Sequence, residues 1–223
     1  MLVDIALTLT GFVLLVGGAD RFVAGAASTA RILGVPPVII GLTIVGFATS
    51  APEVLVSVSA ATSGLTGMAV GNALGSNVAN VGLVLAAAAI IEPIRGDLSG
   101  TLRRELQVLV AVSVGASLLF VDLTLSRLDG LLLLCGLVAF FVWVVRNSQR
   151  IPQDDPVIEE AVKELPAEMS RRRAVTYLLL GFGVLLLGAE LLVAGAESLA
   201  QRFGLSDLII GLTIVAIGTS LPE

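Results

Sequence analysis

The sequence predicts an all-α integral membrane protein in which a segment near the N-terminus recurs near the C-terminus with inverted orientation. The composition is the first reason. Of 223 residues, 56% are hydrophobic and 14% charged, with a mean hydropathy of +1.00, whereas soluble domains carry roughly 25% charge. The second is a series of apolar runs of the length, about 20 residues, that a helix needs to cross hydrocarbon. The third is an ungapped internal repeat. Gly18–Glu53 matches Gly188–Glu223 at a constant offset of 170 residues with 20 identities in 36 positions, and such repeats outrank local propensity in diagnosing a fold.

The runs are Leu2 to about Val23, Pro37–Ala61, Thr66–Ile91, Leu106–Val121, Leu128–Val145, Ala174–Ala200, and Leu208 to Glu223. Six are read as complete spans and the seventh as half of one. The first lacks a basic n-region and a small-residue cleavage site, so it is read as a span and not a signal peptide. Lys and Arg in the connections set orientation. Only Arg127 and Arg202 lie on one side and the remaining basic residues, of 13 in all, on the other. The N-terminus is therefore expected outside. Residues 146–173, with Pro152, Pro156, Pro166 and mixed charge, are expected to form a cytoplasmic linker with a short helix around Val157–Leu165. Residues 1–145 then make a first five-helix half, and 174–223 begin a second.

Five spans separate the starts of the two repeat copies, so the second copy enters from the opposite side. Inverted repeats of this kind mark secondary transporters, whose sites lie near the midplane where helices are interrupted. Each copy carries IIGLTIV, at Ile39–Val45 and Ile209–Val215, followed by TS-x-PE. Pro52 has no N–H and clashes with the carbonyl of Ala48, and it pushes Ala51 away from helical geometry. Freed carbonyls in a membrane need protein, water or an ion. Thr49 and Glu53, at i and i+4, share a face beside the break. Thr219, Ser220, Pro222 and Glu223 repeat the arrangement. An ionised carboxylate at that depth costs at least about 2.5–3.5 kcal/mol, so two at matching positions point to a ligand.

The third span adds GNALGSNVANVG, Gly71–Gly82, in which Asn72, Ser76 and Asn80 form one polar stripe. Gly71, Gly75, Ala79 and Gly82 form a small adjacent face that admits another helix. With no histidine and one cysteine, Cys135, zinc sites, disulfides and imidazole acid–base chemistry are excluded. The chain also lacks an aspartate dyad or an activated nucleophile, and enzymatic activity is not expected. Few aromatics and a net charge of −5 exclude a nucleic-acid surface. The oxygen donors that remain suit hard cations, and a flexible cluster suits Ca²⁺ better than Mg²⁺. Two glutamates balance one Ca²⁺ or about two Na⁺, and competition for one charge-limited cavity is a physical basis for antiport.

GFATSAPE, AIGTSLPE and GNALGSNVANVG resemble the alpha repeats of the sodium/calcium exchangers, within the cation/Ca²⁺ exchanger superfamily. The proton-coupled relatives' Gly-Asn-x-x-Glu pattern is absent. The resemblance implies ten helices in two inverted halves and exchange of Na⁺ for Ca²⁺ by alternating access, with H⁺ or K⁺ coupling as the alternative. It implies Glu53 and Glu223 as central bridging carboxylates. Thr49, Ser50, Thr219 and Ser220 are the flanking hydroxyl ligands, Ser76 and Asn80 ligands from the third helix, and the carbonyls of Gly46 and Ala216 outer sodium ligands. No cofactor is implied. The partners are the two ions and the lipid bilayer, and the unprocessed first span suggests a plasma or inner membrane. In the family the first helix of each half slides, and the Gly-rich stretches Gly11–Gly18 and Gly181–Gly188 are compatible with that. The partner of the Gly71 motif is expected near position 241, beyond Glu223, which suggests a truncated or partly resolved chain.

Asp20 and Glu190, equivalent in the repeat, are expected to be interfacial charges, and Glu197, whose equivalent in the repeat is Ala27, a structural one. Cys135 is expected to pack, and Trp143 to anchor at the interface.

Overall fold

The computed structural model describes residues 1–91, 100–122, 124–148, 162 and 165–221. Among them every regular element is helical. In chain order these are α1 (Leu2–Ile32), α2 (Pro37–Thr62), α3 (Thr66–Ile91), α4 (Gly100–Leu119), α5 (Arg127–Ser148), α6 (Arg171–Phe203) and α7 (Asp207–Thr219). Five of them, α1, α2, α3, α5 and α6, are long and apolar enough to cross a membrane. The apolar part of α4 is only Leu106–Leu119, because Arg103 and its neighbours open the helix and a turn at Phe120–Asp122 closes it. The expected linker and its short helix lie largely outside the described residues.

The chain forms two compact units. One holds Met1–Val35, Ile44–Ile94 and Leu165–Glu223, and the other Pro36–Thr43 and Arg95–Glu164. In the smaller unit α5 begins with a reciprocal cap. The Ser126 N–H and hydroxyl donate to the Asp129 carboxylate at 2.8 and 2.7 Å, and the Asp129 N–H donates back to Ser126 Oγ at 3.3 Å. This satisfies donors that a helix start otherwise leaves open. Cys135 is exposed and not packed. Trp143 is partly buried, its ring stacked 6.2 Å from Phe140.

The larger unit is organised around α1 and α6, which run antiparallel in close contact. Three glycines of each helix, seven residues apart, face the other helix's backbone. A Cβ on Gly11 would stand 2.7 Å from Leu192 N, one on Gly18 2.9 Å from Leu185 N, and one on Gly188 2.9 Å from Leu15 N. Gly25 meets Leu178, Gly181 meets Phe22 and Gly195 meets Thr8 in the same way. Each contact made by a residue of one copy recurs for its counterpart in the other, so the repeat is expressed as a local twofold relation. Without side chains at these points the backbones approach closely, the usual means of helix association in lipid, where hydrophobic burial adds little. The core alongside includes Leu15, Leu185, Leu192, Met68, Val56 and Ile210.

Helix ends follow the repeat as well. Gly34 and its counterpart Gly204 take φ of 82° and 64°, left-handed values that only glycine adopts freely. The N–H of Val35 reaches Ala30 O and that of Leu205 reaches Ala200 O, both at 3.0 Å, satisfying carbonyls at the helix end. The following starts differ: α2 has Pro37 in its first turn, while Ser206 Oγ accepts the Ile209 N–H at 3.3 Å to cap α7.

Candidate functional site

Both copies of IIGLTIV depart from the α-helix. Ile40–Val45 and Gly211–Val215 are π-helical, and a third π segment, Asn80–Val84, begins at Asn80. Single π turns inside α-helices cluster at functional sites because the wider turn re-aims the residues beyond it. Thr43 donates to Ile39 O at 2.6 Å, and its counterpart Thr213 to Ile209 O at 2.7 Å. These hydroxyls satisfy carbonyls within the altered ladders.

A short α segment follows in each copy, Gly46–Thr49 and Ala216–Thr219, and then the helix breaks. The break falls at serine, with ψ of 5° at Ser50 and 1° at Ser220, in the sparsely populated bridge region. It lies one residue earlier than the steric demand of Pro52 on Ala51 suggests. Helix resumes at Ala51 with Pro52 in its first turn, where the missing N–H costs nothing. Both Thr49 and Ser50 donate to the Gly46 carbonyl, at 3.1 and 3.3 Å. In the second copy Thr219 donates to Ala216 O at 3.1 Å, with Ala216 and Thr219 fully buried.

The two copies meet. Ser220 Oγ donates to Glu53 Oε1 at 3.4 Å, joining the hydroxyl of one motif to the carboxylate of the other. Asn72, fully buried, completes the link. Its Nδ2 donates to the Glu53 carbonyl at 3.0 Å and to Ser57 Oγ at 2.9 Å, and its Oδ1 accepts the Thr219 hydroxyl at 3.1 Å. Ser76, buried one turn further along α3, donates to Ala73 O at 3.3 Å, and Asn80 is partly buried a turn beyond.

The small face of α3 seats this network against α7. A Cβ on Gly71 would stand 2.6 Å from Leu208 O, and one on Gly75 2.6 Å from Leu212 O. Gly82, expected on the same face, looks onto open space. Glu53, Ser220, Thr219 and, through its carbonyl bond, Ala216 are thus brought together, with Thr49, Ser50 and Gly46 beside the same break. Pro222 and Glu223 lie outside the described residues. Among the described residues no three Asp, Glu, His or Cys side chains form a cluster, and the groups bonded to Glu53 and Asn72 are hydroxyls and a carbonyl. Asn72 was legible as part of the polar stripe, but nothing in its spacing marked it as the hub.

Away from this site, Asp20 and Glu190 are exposed, and Glu197 Oε1 accepts from Gln201 at 3.2 Å. Asp4 was missed by sequence reasoning. It pairs with Arg202 and accepts from Ser198 Oγ at 3.0 Å. A carboxylate in the first turn of an apolar helix is a signal that could have found it.

The model of the family described as sodium/calcium exchanger protein matches residues 3–146 and 173–223. A relative from Alkalimonas amylolytica, named antiporter CaxA, is 48% identical over all 223 residues, which cover 70% of that protein. The inner membrane protein YrbG of Escherichia coli K12 is 39% identical over the whole chain and 69% of its own length. A solved structure of the sodium-calcium exchanger NCX_Mj, soaked with Na⁺ and Sr²⁺, superposes with a TM-score of 0.60 at 33% identity. That match covers 100% of this chain and 70% of that one.

Proposed function

The chain belongs to the sodium/calcium exchanger family, and on that premise we propose that it exchanges Na⁺ for Ca²⁺ by alternating access around the oxygen cluster at the two helix breaks. The family is one of cation antiporters, not enzymes. The observation that carries the finer reading is the hydrogen bond from Ser220 to Glu53 at 3.4 Å. It makes one polar centre from two motifs that the sequence holds far apart. A carboxylate flanked by hydroxyls and carbonyls is a hard, flexible donor set of the kind that accepts Ca²⁺. In this reading Glu53 and Glu223 bridge the ion. Thr49, Ser50, Thr219, Ser220, Ser76 and Asn80 flank it, and the carbonyls of Gly46 and Ala216 receive Na⁺. Either load cancels the carboxylate charge that otherwise bars the site from crossing an apolar layer.

The proposed arrangement in the cell is a plasma or inner membrane, the N-terminus outside and 146–173 in the cytoplasm. Residues 1–145 form one inverted half, and 174–223 open the second. The test is Ca²⁺ uptake into vesicles bearing the full-length protein. An outward Na⁺ gradient is expected to drive uptake. Equal uptake driven by a pH or K⁺ gradient without Na⁺ would replace Na⁺ with that ion as the coupling partner.

A further inference from the structure

We propose that Asn72 is a positioning residue that sets the hydroxyl of Thr219 and thereby frees the Ala216 carbonyl to hold a cation. The inference rests on the site reading above and names a residue outside the ligand set. Asn72 has no exposed surface, and its amide has one possible orientation. The Glu53 carbonyl, 3.0 Å away, can only accept, so the NH₂ must face it. The side-chain oxygen therefore faces Thr219, and because that oxygen carries no hydrogen, Thr219 must donate to it at 3.1 Å. The amide's two sides are thus fixed by the network.

Thr219 has a single hydroxyl proton and two acceptors at equal distance, Asn72 Oδ1 and Ala216 O, each at 3.1 Å. Ala216 O already accepts the Ser220 N–H at 3.1 Å, so with the Thr219 proton on it as well both of its lone pairs are taken. With the proton on Asn72, the second lone pair of the Ala216 carbonyl and the Thr219 lone pairs are available to a cation, the Ser220 N–H bond staying in place. Rotation about one C–O bond exchanges the two states, and Asn72 keeps the buried proton bonded in the cation-accepting one. A buried donor left without an acceptor carries its full desolvation penalty, so without Asn72 the hydroxyl returns to Ala216. The same side chain fixes the Glu53 backbone at the other copy's break, which ties the geometry of the two copies together.

The experiment compares Na⁺ half-saturation of Ca²⁺ exchange by the full-length protein in vesicles, alongside melting of the purified protein with and without Na⁺. Asn72→Ala is expected to raise Na⁺ half-saturation about tenfold, the worth of one such hydrogen bond, with a smaller change in that for Ca²⁺. In a Thr219→Val background, where no hydroxyl remains, Asn72→Ala is expected to change it little further. Ser57→Ala, which removes a bond on the donor side of the amide, is expected to leave it at the wild-type value.

If Asn72→Ala fails to fold, Asn72→Asp gives the readout. Buried and therefore protonated, the acid keeps an O–H for the Glu53 carbonyl and an acceptor for Thr219, so Na⁺ half-saturation is expected to be no higher than wild type. An equal Asn72→Ala effect with and without the Thr219 hydroxyl, or a weakened Asn72→Asp, overturns the proposal alone. A wild-type protein that neither transports with nor is stabilised by Na⁺ overturns the sodium reading and this proposal with it.

Discussion

Asp4 and Arg202 clasp the same end of the α1–α6 pair, the carboxylate Oδ2 standing 2.6 Å from the arginine Nε. The Asp4 side chain is nearly buried, while that of Arg202 is 54% exposed. The same oxygen lies 2.7 Å from the Met1 ammonium, and Ser198 donates to the other oxygen at 3.0 Å. The clasp therefore ties the start of α1 to the end of α6, next to the last contact of the glycine seam at Gly195. Asp4→Asn keeps the shape and removes the charge. It is expected to lower the melting temperature of the purified protein in low salt. The difference from wild type should narrow as salt rises, because a half-exposed ion pair is already partly screened. Identical melting curves at low salt would show that the pair adds nothing.

The glycine seam makes a sharper prediction because the helix carries its own control. A methyl on Gly188 would press within 2.9 Å of the Leu15 backbone, whereas one on Gly183 meets nothing within 4 Å. Gly188→Ala is expected to destabilise by roughly 1–3 kcal/mol, the cost of forcing apart packed backbone. Gly183→Ala is expected to be neutral or mildly stabilising, since alanine favours helix by about 1 kcal/mol over glycine. Melting of the two variants side by side is the measurement. Equal stabilisation of the two variants would mean the effect is one of helix propensity and not of contact.

Much of this is legible in the residues alone. Gly18 and Gly188, Gly34 and Gly204, and Ser50 and Ser220 match in sequence, and each pair takes matching roles in the structure, because identical local chemistry folds alike in either orientation. The helix breaks are anticipated by Pro52, although the steric argument places them at Ala51 and the structure bends at Ser50. The π turns are not legible. Nothing in the composition of IIGLTIV separates a widened turn from a regular one. Asp4 escapes for the same reason as Asn72: their partners, Arg202 and Thr219, lie on other helices, and residue spacing speaks only along a single helix. The apolar part of α4, Leu106–Leu119, starts where the sequence run Leu106–Val121 starts, just after Arg103 and its charged neighbours, and is too short for a full span.

Ser220→Ala tests the bridge between the two copies directly. Removing the hydroxyl takes away one donor to Glu53 Oε1 and one oxygen from the proposed ion site. Ca²⁺ half-saturation is expected to rise about tenfold, the loss of one hydrogen bond or its equivalent in coordination. The fold should be unaffected, because the end of the short α segment is held by Thr219, whose bonds to Asn72 and Ala216 O are untouched. Unchanged Ca²⁺ affinity would remove Ser220 from the site.

Glu53→Gln is the decisive substitution, because it changes charge with almost no change of shape. The side-chain amide oxygen can still accept from Ser220, so the contact at 3.4 Å need not be lost. The Asn72 bond goes to the Glu53 backbone and does not depend on the side chain at all. Packing around the break should therefore survive, and melting in the absence of cations should stay near wild type. The ion should not tolerate the exchange. Even at an effective dielectric of about 20, a divalent cation in contact with a carboxylate gains several kcal/mol that a neutral amide does not supply, so Ca²⁺ affinity is expected to fall by at least about 100-fold. Adding Ser220→Ala to Glu53→Gln should then cost less than it does alone, since the two residues act on one ion and their effects are coupled. A Glu53→Gln protein that exchanges normally would make the carboxylate structural and move the ion site elsewhere. One that fails to fold would show that the charge is held by the protein for its own packing, not for a cation.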